Sequence, residues 1–194
     1  MNHPPSKFIA LLRGINVSGR NKVGMTQLRS ACGKIGCSDV QTYIQSGNLL
    51  VSANTSPAAL EADLEKLIEK RFGIVIPVIV RAAAAWPRYV ARNPFRKASE
   101  KEPNLVMLAL SKAPPKTDAV KTLRERAANG ERIEQVGDGL WILFSRGVAR
   151  SKLSPGMLDQ AVGSPVTTRN WRTVLRLNEL ARARSEPGRV ISDK

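Results

Sequence analysis

From Lys7 to Leu12 the chain runs almost wholly apolar and then stops at Arg13-Gly14, the pattern of a buried strand opening into a loop. From Met25 the apolar period changes. Met25, Leu28, Cys32 and Ile35 fall on one helical face, and Gly36 stands where a left-handed C-terminal cap is needed. Val40 to Gln45 and Leu49 to Ala53 read as two strands joined around Ser46-Gly47-Asn48. Ser56-Pro57 supplies an N-cap and a first-turn proline for a helix whose Leu60, Leu64, Leu67 and Ile68 share a face and whose exit is Gly73. Ile74 to Val80 is a β-branched strand. The order is βαββαβ, that of a ferredoxin-like unit with two helices on one face of an antiparallel sheet. The other face is left to bind something or to pack.

The pattern then repeats. Residues 82–103, with an alanine run, Trp86-Pro87, Asn93-Pro94-Phe95 and a polar stretch, read as a connector in which Pro87 keeps any helix short. A strand follows at Leu105 to Leu110, then a helix from Pro115, a strand at Arg132 to Val136, the turn Gly137-Asp138-Gly139, and a strand at Leu140 to Ser145. Ser154-Pro155 starts a second Ser-Pro-capped helix that ends at Gly163. A last strand is Pro165 to Thr168 or missing, and a basic helix runs from Trp171 to about Arg184. The expected class is α+β, two ferredoxin-like units with antiparallel sheets, the second atypical or incomplete. The divisions are 1–81 for the first unit, 82–103 for the connector, 104–184 for the second unit and 185–194 for a loose polar tail.

Charge adds a functional hint. The 194 residues carry 31 basic and 16 acidic side chains, a formal charge of +15 that favours anionic partners. Lys7, Arg13, Arg20, Lys22, Arg29 and Lys34 precede the first acid, Asp39. Composition also excludes chemistries. The one histidine, His3, sits in the N-terminal stretch Asn2-His3-Pro4, so triads and histidine-held metals have no candidate inside the fold. Cys32 and Cys37 make neither a disulfide framework nor a zinc motif. Glu61, Asp63, Glu65 and Glu69 crowd one helix and read as a solvated face, so no carboxylate-held metal and no cofactor is expected. The start lacks a signal-peptide core and no run reaches transmembrane length, which makes the cytoplasm the expected location, with no membrane partner.

Three stretches carry the candidate binding chemistry. The opening loop offers Arg13, Gly14, Asn16, Asn21 and Lys22; the turn offers Tyr43, Gln45, Ser46 and Asn48; and a C-terminal stretch offers Thr168, Arg169, Asn170, Trp171 and Arg172. Glycines let backbone N–H groups approach a ligand, amides orient it and cations neutralise it. Asn170 is placed to cap the helix that begins at Trp171. The opening loop matches neither of the standard glycine-rich phosphate-loop spacings. Aromatic residues are 5% of the chain, a poor supply for base stacking, which favours phosphate contacts over base readout.

Ala10-Leu11-Leu12-Arg13-Gly14-Ile15-Asn16-Val17, Thr42-Tyr43-Ile44-Gln45-Ser46-Gly47-Asn48 and Thr167-Thr168-Arg169-Asn170-Trp171-Arg172-Thr173-Val174, together with Asn93-Pro94-Phe95, resemble the bacterial family filed as domain of unknown function 1697. Ser18 stands where that family more often has glycine. The resemblance implies a two-part α+β fold and a site shared by these motifs; it implies no activity. The leading expectation is a protein that binds an anionic ligand, nucleic acid or a phosphorylated small molecule, with the monomer as default. The alternatives are a metal-independent enzyme using Tyr43 or Lys22 as acid or base, and an interaction module. A further expectation is that the three stretches converge on one surface, although the loop after the first strand and the turn between the second and third need not share a sheet end.

Overall fold

The structure, a computed structural model, describes residues 5–17, 19–45, 47–183 and 190–191. His3 and most of the 185–194 tail lie outside the described residues. The chain divides into two compact units, one ending at Trp86 and resuming at Leu177, the other Pro87–Arg176.

The first unit contains β1 (Ser6–Leu12), α1 (Met25–Cys32), β2 (Ser38–Tyr43), β3 (Asn48–Ala53), α2 (Pro57–Phe72) and β4 (Val78–Ala82). The second contains α3 (Pro87–Ala91), α4 (Arg96–Lys101), β5 (Val106–Ser111), α5 (Ala119–Arg126), β6 (Arg132–Val136), β7 (Gly139–Leu143), α6 (Pro155–Val162) and β8 (Val166–Asn170). α7 (Trp171–Arg182) runs from the second unit into the part of the chain that belongs to the first, and β9 (Val190–Ile191) adds to the first sheet. Sheet order is β4-β1-β3-β2-β9 in one unit and β6-β7-β5-β8 in the other. Leaving β9 aside, the two orders are the same: the unit's first strand lies between its third and fourth, and its second lies outside the third. All these pairings are antiparallel. Both units are therefore ferredoxin-like, and the second is complete, its fourth strand being β8.

The two halves also share construction details. Ser56 and Ser154 each accept a hydrogen bond from a first-turn N–H, of Ala59 and Met157, with proline next in sequence; Gly73 and Gly163 close the helices with φ of +67° and +81°. Each second helix then serves an edge strand. Val78, the first residue of β4, donates to Glu65 Oε1 at 2.8 Å, and Val166, the first residue of β8, donates to Asp159 Oδ1 at 2.8 Å. Glu61 is buried and accepts from Val80 N at 2.8 Å. This corrects the reading of the α2 acids as a solvated face: Glu61 and Glu65 satisfy edge N–H groups that no neighbouring strand reaches.

β-strand alternation sorts each sheet into two buried faces. Ala10, Leu12, Leu49, Val51, Val78 and Val80 join Leu28, Cys32, Leu60, Leu64 and Ile68 beneath α1 and α2. Ile9, Leu11, Leu50 and Ile79 are buried as well and point the other way. In the second unit Ala109, Ile133, Leu140, Ile142 and Val166 pack with α5 and α6, while Val106, Leu108, Leu110 and Trp141 fill the opposite face. Among the described residues neither sheet presents an open aromatic platform for bases to stack on. Part of the stretch read as a connector covers that second face: a Cβ at Gly139 would stand 3.5 Å from the Tyr89 ring, and the Arg132 guanidinium lies over Phe95 at 5.2 Å.

Element ends shift where proline or an edge decides them. β4 begins after Pro77, which has no N–H to give the ladder, and α5 begins at Ala119, beyond the Pro114-Pro115 pair. Of the tail, Val190–Ile191 pairs in parallel with Thr42 and Tyr43.

Candidate functional site

In the first unit the opening loop and the Tyr43 to Asn48 turn lie together. β3 is the antiparallel neighbour of β1, with Leu11 opposite Asn48, so the end of one strand and the start of the other share a sheet end. The expectation that the fold leaves their proximity open is corrected by this register. Contacts then lock them. Leu12 N donates to Gly47 O at 2.8 Å, and Asn16 Nδ2 donates to Gln45 O at 3.0 Å and Val23 O at 3.1 Å, while Asn16 Oδ1 accepts from Val23 N. Asn21 Nδ2 donates to Gly14 O at 3.0 Å, and Asn48, fully buried, donates to Tyr43 O at 3.1 Å. A Cβ on Gly47, whose φ is +76°, would stand 2.8 Å from the Leu12 Cβ, so only glycine fits there.

The amides at Asn16, Asn21 and Asn48 are thus spent on the chain's own backbone. Backbone strain collects in the same place: Asn16, Asn21 and Ile44 hold φ near +50°, and the β-branched Ile44 is the costliest of the three. What this frame presents outward is charge. Arg20 and Lys22 are exposed, neither has an ion pair among the described residues, and Gln45 is exposed beside them in the turn. Arg13 is half-buried and its N–H donates to Pro77 O. Tyr43 is buried at 4% exposure. Ser46 lies outside the described residues.

Beyond the loop, α1 and α2 flank a groove of about 760 Å³. Ala31, Ile35 and Leu67 give it an apolar floor; Lys34, Lys66, Lys70 and Arg71 line it with a single acid, Asp63. The spacing of Asp63, Lys66, Leu67, Lys70 and Arg71 places them on one face of α2. All four cations are exposed and none forms an ion pair among the described residues. No glycine or asparagine pattern marks this groove in the sequence; Lys66, Lys70 and Arg71, four and five residues apart and so on one side of α2, were the available signal.

The third stretch belongs to the second unit. Thr168 and Arg169 are in β8, and Asn170 caps α7, its Oδ1 accepting from Thr173 N at 2.9 Å. Trp171 packs on Trp141, ring centroids 5.8 Å apart, and Arg172 is exposed. Arg169 is buried in the sheet and donates to Thr167 Oγ1 and Thr168 O, each at 2.8 Å. Burial pushes its guanidinium down to about 10. Its place is internal, where a guanidinium satisfies strand groups.

A cavity of about 240 Å³ lies in the second unit, lined by Arg88, Tyr89 and Arg92 from α3 and the residue after it, by the β6–β7 turn at Gly137 and Asp138, and by Trp141. Tyr89 donates its hydroxyl to Asp138 Oδ2 at 2.8 Å, and Arg88 donates to Asp138 Oδ1 at 3.0 Å. The Tyr89 hydroxyl, and then Asp138, raise the Arg88 guanidinium further above its ordinary value. Trp141 is fully buried and its Nε1 has no hydrogen-bond partner among the described residues, a state that costs roughly 1–3 kcal/mol for a buried N–H. None of these residues was singled out in the sequence, where 82–103 read as a connector and Gly137-Asp138 as a hairpin turn. The length of that stretch was the signal, because long structureless connectors inside compact chains are uncommon.

Burial holds the Cys32 thiol, with Cys37 beside it, up to about 12, and raises Cys37 too, so neither is a ready nucleophile. Among the described residues no group of three His, Cys, Asp or Glu side chains stands close enough to hold a metal ion, and no helix is long and apolar enough to cross a membrane.

Comparison with known proteins fits the motifs above. The model of the family described as protein of unknown function DUF1697 matches residues 6–141. The chain belongs to the DUF1697 family. The match takes in both the opening loop and the Tyr43 to Asn48 turn and extends through Trp141. No curated protein matches the sequence. Among solved structures, the conserved bacterial protein SP0830 from Streptococcus pneumoniae is similar, with a TM-score of 0.72 and 22% identity over 91% of this chain and 99% of that one. At that identity the likeness speaks for the fold and for nothing finer.

Proposed function

We propose that this protein binds phosphate-rich polyanions through the first unit, holding the phosphates by charge without reading bases. One observation carries the reading: Arg20 and Lys22 on the opening loop, and Lys34, Lys66, Lys70 and Arg71 on the groove, are exposed cations with no ion pair among the described residues. Cations that only decorate a surface are commonly paired with acids, whereas the described residues lining the groove hold Lys34, Lys66, Lys70 and Arg71 against one acid, Asp63. Lys22 lies four residues before Thr26, the first groove residue, so loop and groove follow one another along the chain.

The strained frame supports the same conclusion. Three left-handed non-glycine residues at one sheet end are an expense a purely connecting loop does not need. Both sheet faces are largely filled, and among the described residues no aromatic is an exposed large apolar residue, so base stacking is poorly supplied. A phosphorylated small molecule at the loop is the second source of the same chemistry.

The test is fluorescence anisotropy with a labelled oligonucleotide, comparing the wild-type protein with K66A/K70A/R71A. These side chains are exposed, so the variant keeps its melting temperature and loses about tenfold or more in affinity. Unchanged affinity in the variant rejects the groove. Saturable binding of a sugar phosphate with no oligonucleotide binding rejects the polymer and keeps the loop.

A further inference from the structure

We propose that the cavity in the second unit is a separate binding site for a small oxyanion, a carboxylate or phosphate carried on a molecule of a few carbons. Both oxygens of Asp138, the acid that lines the cavity, are taken, Oδ1 by Arg88 and Oδ2 by the Tyr89 hydroxyl. The donors are in surplus. Among the described residues, Trp141, which lines the cavity, has a buried indole N–H with no acceptor, and Arg92, an exposed residue of the lining, has no side-chain hydrogen bond or ion pair. Arg88 engages Asp138 and the Tyr89 hydroxyl through one terminal nitrogen, Nη2, which leaves further N–H groups of its fork uncommitted. Two guanidinium groups against one carboxylate leave a net positive charge. The ligand that completes this set brings acceptors and negative charge; a cation would meet two arginines and a carboxylate that is already used.

Shape agrees with that chemistry. Tyr89 and Trp141 are buried and form the floor, whereas the Arg88 and Asp138 side chains are 49% and 30% exposed, so the cavity opens to solvent at its charged rim. At about 240 Å³ it lies below the roughly 300–1,000 Å³ of sites for drug-sized ligands. If the Tyr89–Asp138–Arg88 contacts served only to pin α3 to the β6–β7 turn, neither the orphan indole nor the unpaired Arg92 would be required.

The experiment is a titration of the full-length, nitrogen-15-labelled protein followed through its tryptophan indole N–H resonances. Inorganic phosphate and succinate are the probes in separate arms, and sodium chloride of equal ionic strength is the control. The Trp141 resonance is assigned by its loss in W141F or, should that variant not fold, by elimination with W86F and W171F. The expected result is a saturable shift of the Trp141 indole with phosphate, succinate or both, weakened about tenfold or more in R92A, the loss of one charge-assisted contact. R92A leaves oligonucleotide affinity unchanged, which separates this site from the polyanion surface of the first unit. Response to one probe alone names the anion class. The proposal is overturned if Trp141 responds no differently to the probes than to sodium chloride, or if R92A titrates as the wild type does.

Discussion

Arg169 shows how one side chain's environment changes the meaning of its charge. In the sequence it sits among polar residues and reads as a ligand contact; in the fold it lies in β8, inside the strand face, donating to Thr167 and Thr168. Its removal leaves buried acceptors unsatisfied and a void, so R169A should lower unfolding free energy by roughly 2–4 kcal/mol in urea denaturation while leaving oligonucleotide affinity per folded molecule unchanged. R169M, which keeps volume and sheds the desolvated charge, should cost less. Glu131 offers a pH counterpart. Burial acts to raise its carboxyl, but the Ser151 hydroxyl and the Asn129 N–H outweigh it and hold the group below its ordinary value of 4.5. A carboxyl with a depressed folded value contributes stability that is present above 4.5 and is lost as pH falls through that folded value. Urea denaturation at about pH 7 and about pH 3.5 should therefore show a smaller acid loss in E131Q than in the wild type; equal losses would remove Glu131 from the account.

At the level of elements, the helices and strands with strong period or caps were legible: the two Ser-Pro starts, the two glycine exits and the Asp-Gly hairpin all stand where the sequence places them. Three features were not. β8 is short and polar on both sides of Arg169, and only its pairing with β5 makes it a strand. α3 and α4 are too short to show a period and are shaped by the sheet face they cover. The carboxylates that serve the edges of β4 and β8 carry no sequence mark of doing so, because the N–H groups they meet belong to the next element, 13 and 7 residues on. Their equivalence in the two units predicts equivalent costs. E65A and D159A should each lose roughly 1–2 kcal/mol of stability by thermal or urea unfolding, whereas alanine at the exposed Glu69 of the same helix should lose almost none. In the candidate site, the loop and turn were legible as a pair of motifs, but the hydrogen bonds of their asparagines to the chain's own backbone were not, since an asparagine that can hold a left-handed backbone suits a frame as well as a ligand. The groove on α2 and the cavity around Tyr89 depend on residues brought together from separate elements, which no local motif announces.

For the whole molecule, the formal charge of +15 matters through where its cations stand unpaired. A fold of two ferredoxin-like units with both sheet faces filled leaves loops, helix faces and small cavities as the available surface, and in the first unit that surface is basic. Polyanion binding through Arg20, Lys22, Lys34, Lys66, Lys70 and Arg71 has a signature that needs no knowledge of the natural partner. Each phosphate neutralised releases condensed counterions, so affinity for a labelled duplex, measured by anisotropy, should fall about a thousandfold between about 50 and about 200 mM salt if all six cations engage, and the slope of log affinity against log salt should become shallower by about 2.7 in K66A/K70A/R71A. Absence of binding at low salt, or binding whose affinity does not change with salt, would contradict the account.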